Sequence, residues 1–288
     1  MTSGQAQPAR RQHEPPLLVV VGVDPMGAEV ARLVLGHGDD PTALLAVHGW
    51  EVRRARAVTS ETVGKHVLTM SFVVAPSFVA EPRSVASVGR PMRTRRDQNL
   101  VLSEGEVPEP HQRVAAYAFV TSSRGVLMTQ FSGRTNAEGR WGLPGGGIEG
   151  GEAPELAVVR EVWEESGQVI EVRDLAVIQA SHWIGRAPTG RLEDFHGVRV
   201  VYWAVCPEPT EPVVHDIGGT TAAAAWVPTT DLDRLGVTSS WRSLLRDVGR
   251  LGGTGAGTSG VVTAPDEADG PQHHHHGPDP DDRARPQP

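Results

Sequence analysis

The chain has 288 residues, a net charge of −8 at neutral pH, 33 glycines, 23 prolines and a single cysteine. Its length permits one large domain or two modest ones, and the acidic balance argues against duplex binding, which needs clustered Lys and Arg. Cys206 alone excludes an internal disulfide framework and a cysteine zinc cluster, and fits a reducing compartment, with the cytoplasm as the expectation.

In chain order, residues 1–14 are polar and read as disordered. The apolar run 17–22 is too short for a helix and rich in valine, so it predicts a strand. It stops at Asp24 and Pro25, and no stretch reaches the ~20 apolar residues of a membrane-spanning helix. Over 25–37, Met26, Val30, Leu33 and Val34 recur at helical spacing before Gly36 and Gly38, which predicts a helix. A second short helix is expected over 41–48, then strands at 50–58 and 67–75. Residues 15–79 therefore form a small α+β domain without a catalytic motif, and its place in the chain points to a substrate-shaping or dimerising role. Residues 80–110 read as a linker, with Pro82, Pro91, Pro108 and Pro110, and with Arg90, Arg93, Arg95 and Arg96 followed by Glu104, Glu106 and Glu109.

From 111 onward the texture changes. Strands are expected at 114–121, 126–131, 169–182, 198–206 and 222–227, with a closing helix at 240–249. Beyond 251 the chain is rich in Gly, Asp and Pro without periodicity and reads as a disordered tail. Its tract His273–His276 lacks the fixed geometry a metal site requires.

The chemistry is concentrated between Trp141 and Gln168. Pro154 suits a first helical turn and Gly167 the position just past a helix end, framing about three turns. At 3.6 residues per turn, Leu156, Val158, Val159, Val162 and Trp163 cover one side, predicted to be core. Glu161, Glu164 and Glu165 fall within an arc of about 100° on the other. Glu161 and Glu165 stand at i,i+4 and repel by a few tenths of a kcal/mol. Arg160 offsets part of this in the less favourable order, and a hard divalent cation such as Mg²⁺, which takes carboxylate oxygens, offsets it better. The loop Gly145-Gly146-Gly147 allows a backbone to approach a ligand closely, and Glu152 stands where this loop meets the helix.

These residues resemble the Nudix box, G-x5-E-x7-R-E-U-x-E-E-x-G-U, with U a bulky apolar residue. Gly146, Glu152, Arg160, Glu161, Glu164, Glu165 and Gly167 match its fixed letters, and Val162 its first apolar position. Gln168 departs from the final apolar position, a change expected to weaken packing after the helix rather than the metal site. The resemblance implies an α/β fold, a Nudix-type α/β/α sandwich with a mixed sheet over 111–250, preceded by the small α+β domain. It also implies metal-dependent hydrolysis of a diphosphate bond in a nucleoside-diphosphate-linked substrate. By resemblance, Glu161, Glu164, Glu165 and the Gly146 carbonyl hold Mg²⁺ or Mn²⁺, while Glu152 and Arg160 orient the carboxylates. Glu164 or a glutamate outside the box takes the proton as water attacks phosphorus.

The box does not encode what hangs on the diphosphate. Between 180 and 199, Trp183, Arg186, Arg191 and Arg199, with Phe195 and His196, are candidates to stack on a base or pair with phosphate. His215 and Asp216 form a further candidate ligand pair. The expected partner is a small-molecule nucleotide, with RNA 5′ ends as the one nucleic-acid exception and a homodimer as the expected assembly. The competing readings are a Nudix-fold module that senses a nucleotide without hydrolysing it, and a nucleic-acid-binding protein using the arginine-rich linker.

Overall fold

The computed structural model describes residues 15–77, 94–97 and 100–252. The segment 1–14, the prolines Pro82 and Pro91, Arg90 and Arg93, and the tract His273–His276 lie outside the described residues.

The N-terminal part is a four-stranded sheet ordered β2-β1-β4-β3, from β1 (Leu17–Val23), β2 (Glu29–Val34), β3 (Trp50–Val63) and β4 (Lys65–Pro76). β1 runs parallel to β4, and the remaining pairs are antiparallel. The short helix α1 (Pro41–Val47) precedes β3. Asp40 caps it by accepting from the Thr42 and Ala43 N–H groups, the usual way to satisfy helix-start donors.

The helix expected over 25–37 is instead a turn followed by β2. The Asp24 carboxylate accepts from the Met26 and Ala28 N–H groups, and Gly27 takes φ +93°, which together turn the chain before a helix can start. β2 then completes its hydrogen bonding against β1, leaving Met26 and Val34 exposed. Four apolar residues over so short a window fitted a 3.6-residue period by coincidence, and tertiary pairing overrode it.

The second sheet runs β12-β7-β6-β11-β10-β5. It comprises β5 (Arg95–Arg96), β6 (Glu109–Ser122), β7 (Gly125–Phe131), β10 (Glu171–Arg186), β11 (Leu192–Val205) and β12 (Thr221–Val227). The short strands β8 (Trp141–Gly142) and β9 (Gly145–Gly147) add to β7 and β6. β6 and β11 pair in parallel while β10–β11 and β7–β12 are antiparallel, so the sheet is mixed as expected. Within the stretch read as a linker, Arg95 and Arg96 pair with Trp183 and Ile184.

Alternation along β6 sorts the two faces. Val114, Ala116, Ala118 and Val120 pack against helix α2 (Pro154–Ser166) through Ala157, Val158 and Val162. Ala115, Tyr117 and Phe119 face α3 (Ser239–Gly252) through Trp241 and Leu244. Helix, sheet and helix thus form an α/β/α layering. The α2-side core is continuous with Leu18, Val20, Leu68, Phe72 and Val74 of the first sheet, so both sheets bury side chains in one cluster.

Candidate active site

α2 begins at Pro154 and ends at Gly167, whose φ of +67° is the left-handed cap that glycine tolerates. Its carbonyls are closed off by the loop 213–216: the Val213 N–H donates to the Ser166 carbonyl, and those of His215 and Asp216 to the Glu164 carbonyl. His215 also stacks on Trp163 at 4.5 Å. The pair His215 and Asp216 therefore braces the helix end. Gln168, the departure from the box, is buried and fully used: its amide donates to the Ser166 carbonyl and the Thr210 hydroxyl, and its oxygen accepts from the Thr210 N–H. A polar anchor replaces the apolar contact.

The helix is rotated from the orientation its apolar residues predict. Val158 and Val162 are buried as expected, but Leu156 is 64% and Trp163 49% exposed, and Val159 is also exposed. The inward arc is instead Pro154, Ala157, Val158, Val162, Glu165 and Ser166, with Glu165 only 4% exposed. The carboxylates turn inward because β9 offers them backbone that no side chain obstructs. A Cβ at Gly146 would lie 2.4 Å from the Glu161 carboxylate, and one at Gly145, where φ is +139°, would lie 2.2 Å from the Ala116 carbonyl oxygen. Only glycine permits that packing.

Glu165 accepts from the Gly145 N–H at 2.9 Å and from the Thr221 hydroxyl at 2.5 Å. Burial, followed by the charge of Glu161, pushes its pKa up to about 8. Burial also raises that of Glu161. Arg160 ties the cluster together. Its Nε and one terminal nitrogen each donate to Glu152 at 2.9 Å, and the same nitrogen donates to the Gly147 carbonyl at 3.0 Å. Its other terminal nitrogen reaches Glu161 at 2.8 Å and Glu164 at 3.4 Å. Glu152 accepts in turn from the Glu149 N–H at 2.9 Å. Its pKa is lowered: burial opposes the shift, but the Arg160 and backbone hydrogen bonds outweigh it. Three carboxylates thus crowd one guanidinium, with Glu165 buried alongside and Arg113 of β6 acting on Glu161 electrostatically from the sheet side. Excess negative charge with oxygen donors beside a side-chain-free backbone is a donor set that suits a hard divalent cation.

Of the expected substrate residues, the structure brings only Arg199 to this end of the sheet. It pairs in register with Ala115, is buried, and sits 4.8 Å over the Trp241 ring with Gln179 alongside. Burial lowers its pKa, and Tyr117 and Arg113 share its surroundings. Arg186, Arg191 and Trp183 lie farther along the sheet, about 13 Å away for Trp183 and about 25 Å for the two arginines at ~3.3 Å per residue. Arg186 makes a bidentate pair with Glu106 at 2.7 and 2.8 Å, Arg191 pairs with Glu193, and Trp183 is buried, as is Phe195. The sequence reading did not single out Arg113, Tyr117 and Thr221. Alternation placing 113, 115 and 117 on one face could have flagged the first two, whereas Thr221 has no local signal. A cavity of about 430 Å³ opens beside Thr221, lined also by Arg134, Asp216 and Ile217.

A glycine strand packed on an inward-facing carboxylate helix, within helix–sheet–helix layers, defines the class of site: oxygen-rich, anionic and set at a sheet edge. Residues 111–248 match the family model of the NUDIX domain, and this part of the chain belongs to that family. The chain is 57% identical over 37 residues to a MutT-like protein of Streptomyces ambofaciens, covering 13% of this chain and 24% of that protein. It is 39% identical over 51 residues to an RNA pyrophosphohydrolase of Roseobacter denitrificans, covering 18% and 31%. Among solved structures, a MutT NUDIX hydrolase from Burkholderia pseudomallei aligns at 29% identity with a TM-score of 0.37, over 48% of this chain and 98% of that one. The matches span about a quarter to a third of the length of these curated relatives.

Proposed function

We propose that the chain is a metal-dependent Nudix pyrophosphohydrolase that cuts a diphosphate bond in a nucleoside-diphosphate-linked small molecule. The observation that carries this reading is the inward rotation of α2, which commits Glu161 and Glu165 to a buried face beside Gly145 and Gly146 instead of to solvent. A solvated face would place those charges outward, because burying carboxylates without a partner cation is costly.

Glu161, Glu164, Glu165 and the Gly146 carbonyl would hold Mg²⁺ or Mn²⁺. Such an ion, when bound, neutralises diphosphate charge and acidifies a water. Arg160, locked by Glu152 and the Gly147 carbonyl, fixes the Glu161 carboxylate in place and keeps α2 pressed on β9. The Gly145 N–H and Thr221 hydroxyl do the same for Glu165. Glu164, the most exposed carboxylate of the three, meets solvent at the helix edge, and it or a glutamate outside the box would take the proton from the attacking water. Arg199 and Arg113 supply positive charge on the sheet side, where a substrate phosphate would lie. The single thiol, buried Cys206, suits the cytoplasm. Among the described residues, no helix is long and apolar enough to cross a membrane.

The test is release of nucleotide or phosphate from a panel of nucleoside triphosphates, nucleotide sugars, ADP-ribose, dinucleoside polyphosphates and 5′-triphosphate RNA, in Mg²⁺, Mn²⁺ or EDTA. Turnover of at least one member that EDTA abolishes is the expected result. Nucleotide binding without turnover of any member would favour the sensing module instead.

A further inference from the structure

At the opposite end of β10 and β11 a second cluster gathers, made of unlike donors. His182 of β10, Asp194 of β11 and His37, from the loop between β2 and α1, bring one ligand atom each to within 4.8 Å of one another. The Asp194 carboxylate oxygen Oδ1 lies 3.2 Å from Nε2 of His37 and also contacts Nε2 of His182. All three side chains are partly open to solvent, at 29% for His37, 13% for His182 and 26% for Asp194. We propose that His37, His182 and Asp194 form a binding site for a late first-row divalent cation of the Zn²⁺ class, which pins the N-terminal sheet to the NUDIX domain.

The donor chemistry selects the ion. Two imidazoles and one carboxylate suit Zn²⁺ or Co²⁺, whereas Mg²⁺ prefers an all-oxygen shell. Three protein ligands with partial exposure leave positions for water. Surrounding contacts fix the ligands in the way metal sites require. The Thr94 hydroxyl oxygen lies 2.9 Å from His182 Nδ1 and can accept its proton, which leaves Nε2 as the free lone pair. The loop can reach the hairpin because residue 38 is glycine: φ there is +80°, and a Cβ would lie 2.9 Å from the His182 ring. His196, directly across from His182, is not a ligand. Its Nε2 contacts the Asp39 carbonyl and its Nδ1 the Gln112 amide, both at 3.0 Å, and its ring stands 5.5 Å from that of His37. It serves as a strut for the loop that carries His37.

The experiment uses the full chain with His273→Asn, His274→Asn, His275→Asn and His276→Asn, so that the histidine tract cannot contribute, in excess Mg²⁺ to occupy the carboxylate helix. Titration with Co²⁺, read by its visible d–d absorption, is expected to show one equivalent bound and displaced by Zn²⁺. His37→Gln, His182→Gln and Asp194→Asn should each weaken binding by more than the ~10- to 100-fold typical of outer contacts. Zn²⁺ should raise the melting temperature of the parent and not of His37→Gln. Circular dichroism establishes which variants fold, and His37→Gln, changed only in an exposed loop, decides if His182→Gln does not. Absence of bound Co²⁺ in the parent, or binding unchanged by His37→Gln, overturns the proposal and leaves a hydrogen-bonded Asp–His cluster.

Discussion

Two polar clusters lie along the second sheet, one where α2 packs on β9 beside the middle of β6 and one near the start of β11, and they differ in almost every respect that chemistry can use. Where α2 meets β9 the groups are carboxylates packed on glycine backbone, with Glu165 buried and Arg160 shared among Glu152, Glu161 and Glu164. Around Asp194 they are imidazoles, partly open to water, one from β10 and one from the loop that follows β2. The contrast shows that one sheet sorts chemistry by what its edges are packed against. A glycine strand admits crowded oxygen donors beside the middle of β6, and a loop from the first sheet supplies a nitrogen donor near the start of β11.

The largest expected effects fall on the first cluster. Glu161→Gln should lower turnover by more than ~100-fold with the fold retained, since loss of a ligand exceeds the ~10- to 100-fold cost of losing an outer-shell partner; steady-state kinetics with matched circular dichroism checks this. Equal turnover would mean that the inward rotation of α2 serves packing alone. Gly146→Ala tests the close approach itself. Its Cβ would enter the space of the Glu161 carboxylate, so activity should drop by about 10- to 100-fold while the far-end cluster is untouched.

Arg160→Ala is expected to cost about 10- to 100-fold in activity, and Arg160→Lys should recover little, because one ammonium cannot span Glu152, Glu161 and the Gly147 carbonyl as a planar fork does. Full recovery by lysine would show that charge alone matters there. The smallest effect belongs to the far end, at Arg186–Glu106. The hydrogen bond from Arg186, with help from the Ser103 N–H, holds Glu106 down to about 2. A carboxylate whose folded pKa is depressed stabilises the fold above its unfolded value near 4.5 and loses that contribution as pH falls toward 2. Glu106→Gln should therefore lower the melting temperature slightly above pH ~4.5, with the difference from wild type vanishing toward pH ~2. On an exposed pair the difference is small.

How far the sequence could be read follows the same division. Strand order in the second half, the span of α2 from Pro154 to its Gly167 cap, and the grouping of Gly146, Glu152, Arg160 and the helix glutamates are local patterns, and local patterns survive folding. The orientation of α2 was not legible. Hydrophobicity placed Leu156, Val159 and Trp163 inside, whereas the unobstructed backbone of β9 drew the carboxylates there instead. β2 was hidden because Asp24 and Gly27 make a turn that only the presence of β1 beside it converts into a strand pair. Arg186 looked like a phosphate ligand because its partner Glu106 stands 80 residues away in sequence and meets it only in the fold, and Arg191 because its pairing with Glu193, two residues on, carries no motif. The set His37, His182 and Asp194 has no motif, since its members come from separate elements and meet only when the two sheets do.

The claim that the buried carboxylates of α2 carry the reaction is tested most directly by the turnover of one panel substrate by the full chain in Mn²⁺, with EDTA and Glu165→Gln compared against wild type. Hydrolysis by wild type that disappears with EDTA and falls by more than ~100-fold in folded Glu165→Gln is the predicted result. Hydrolysis that survives both would contradict it.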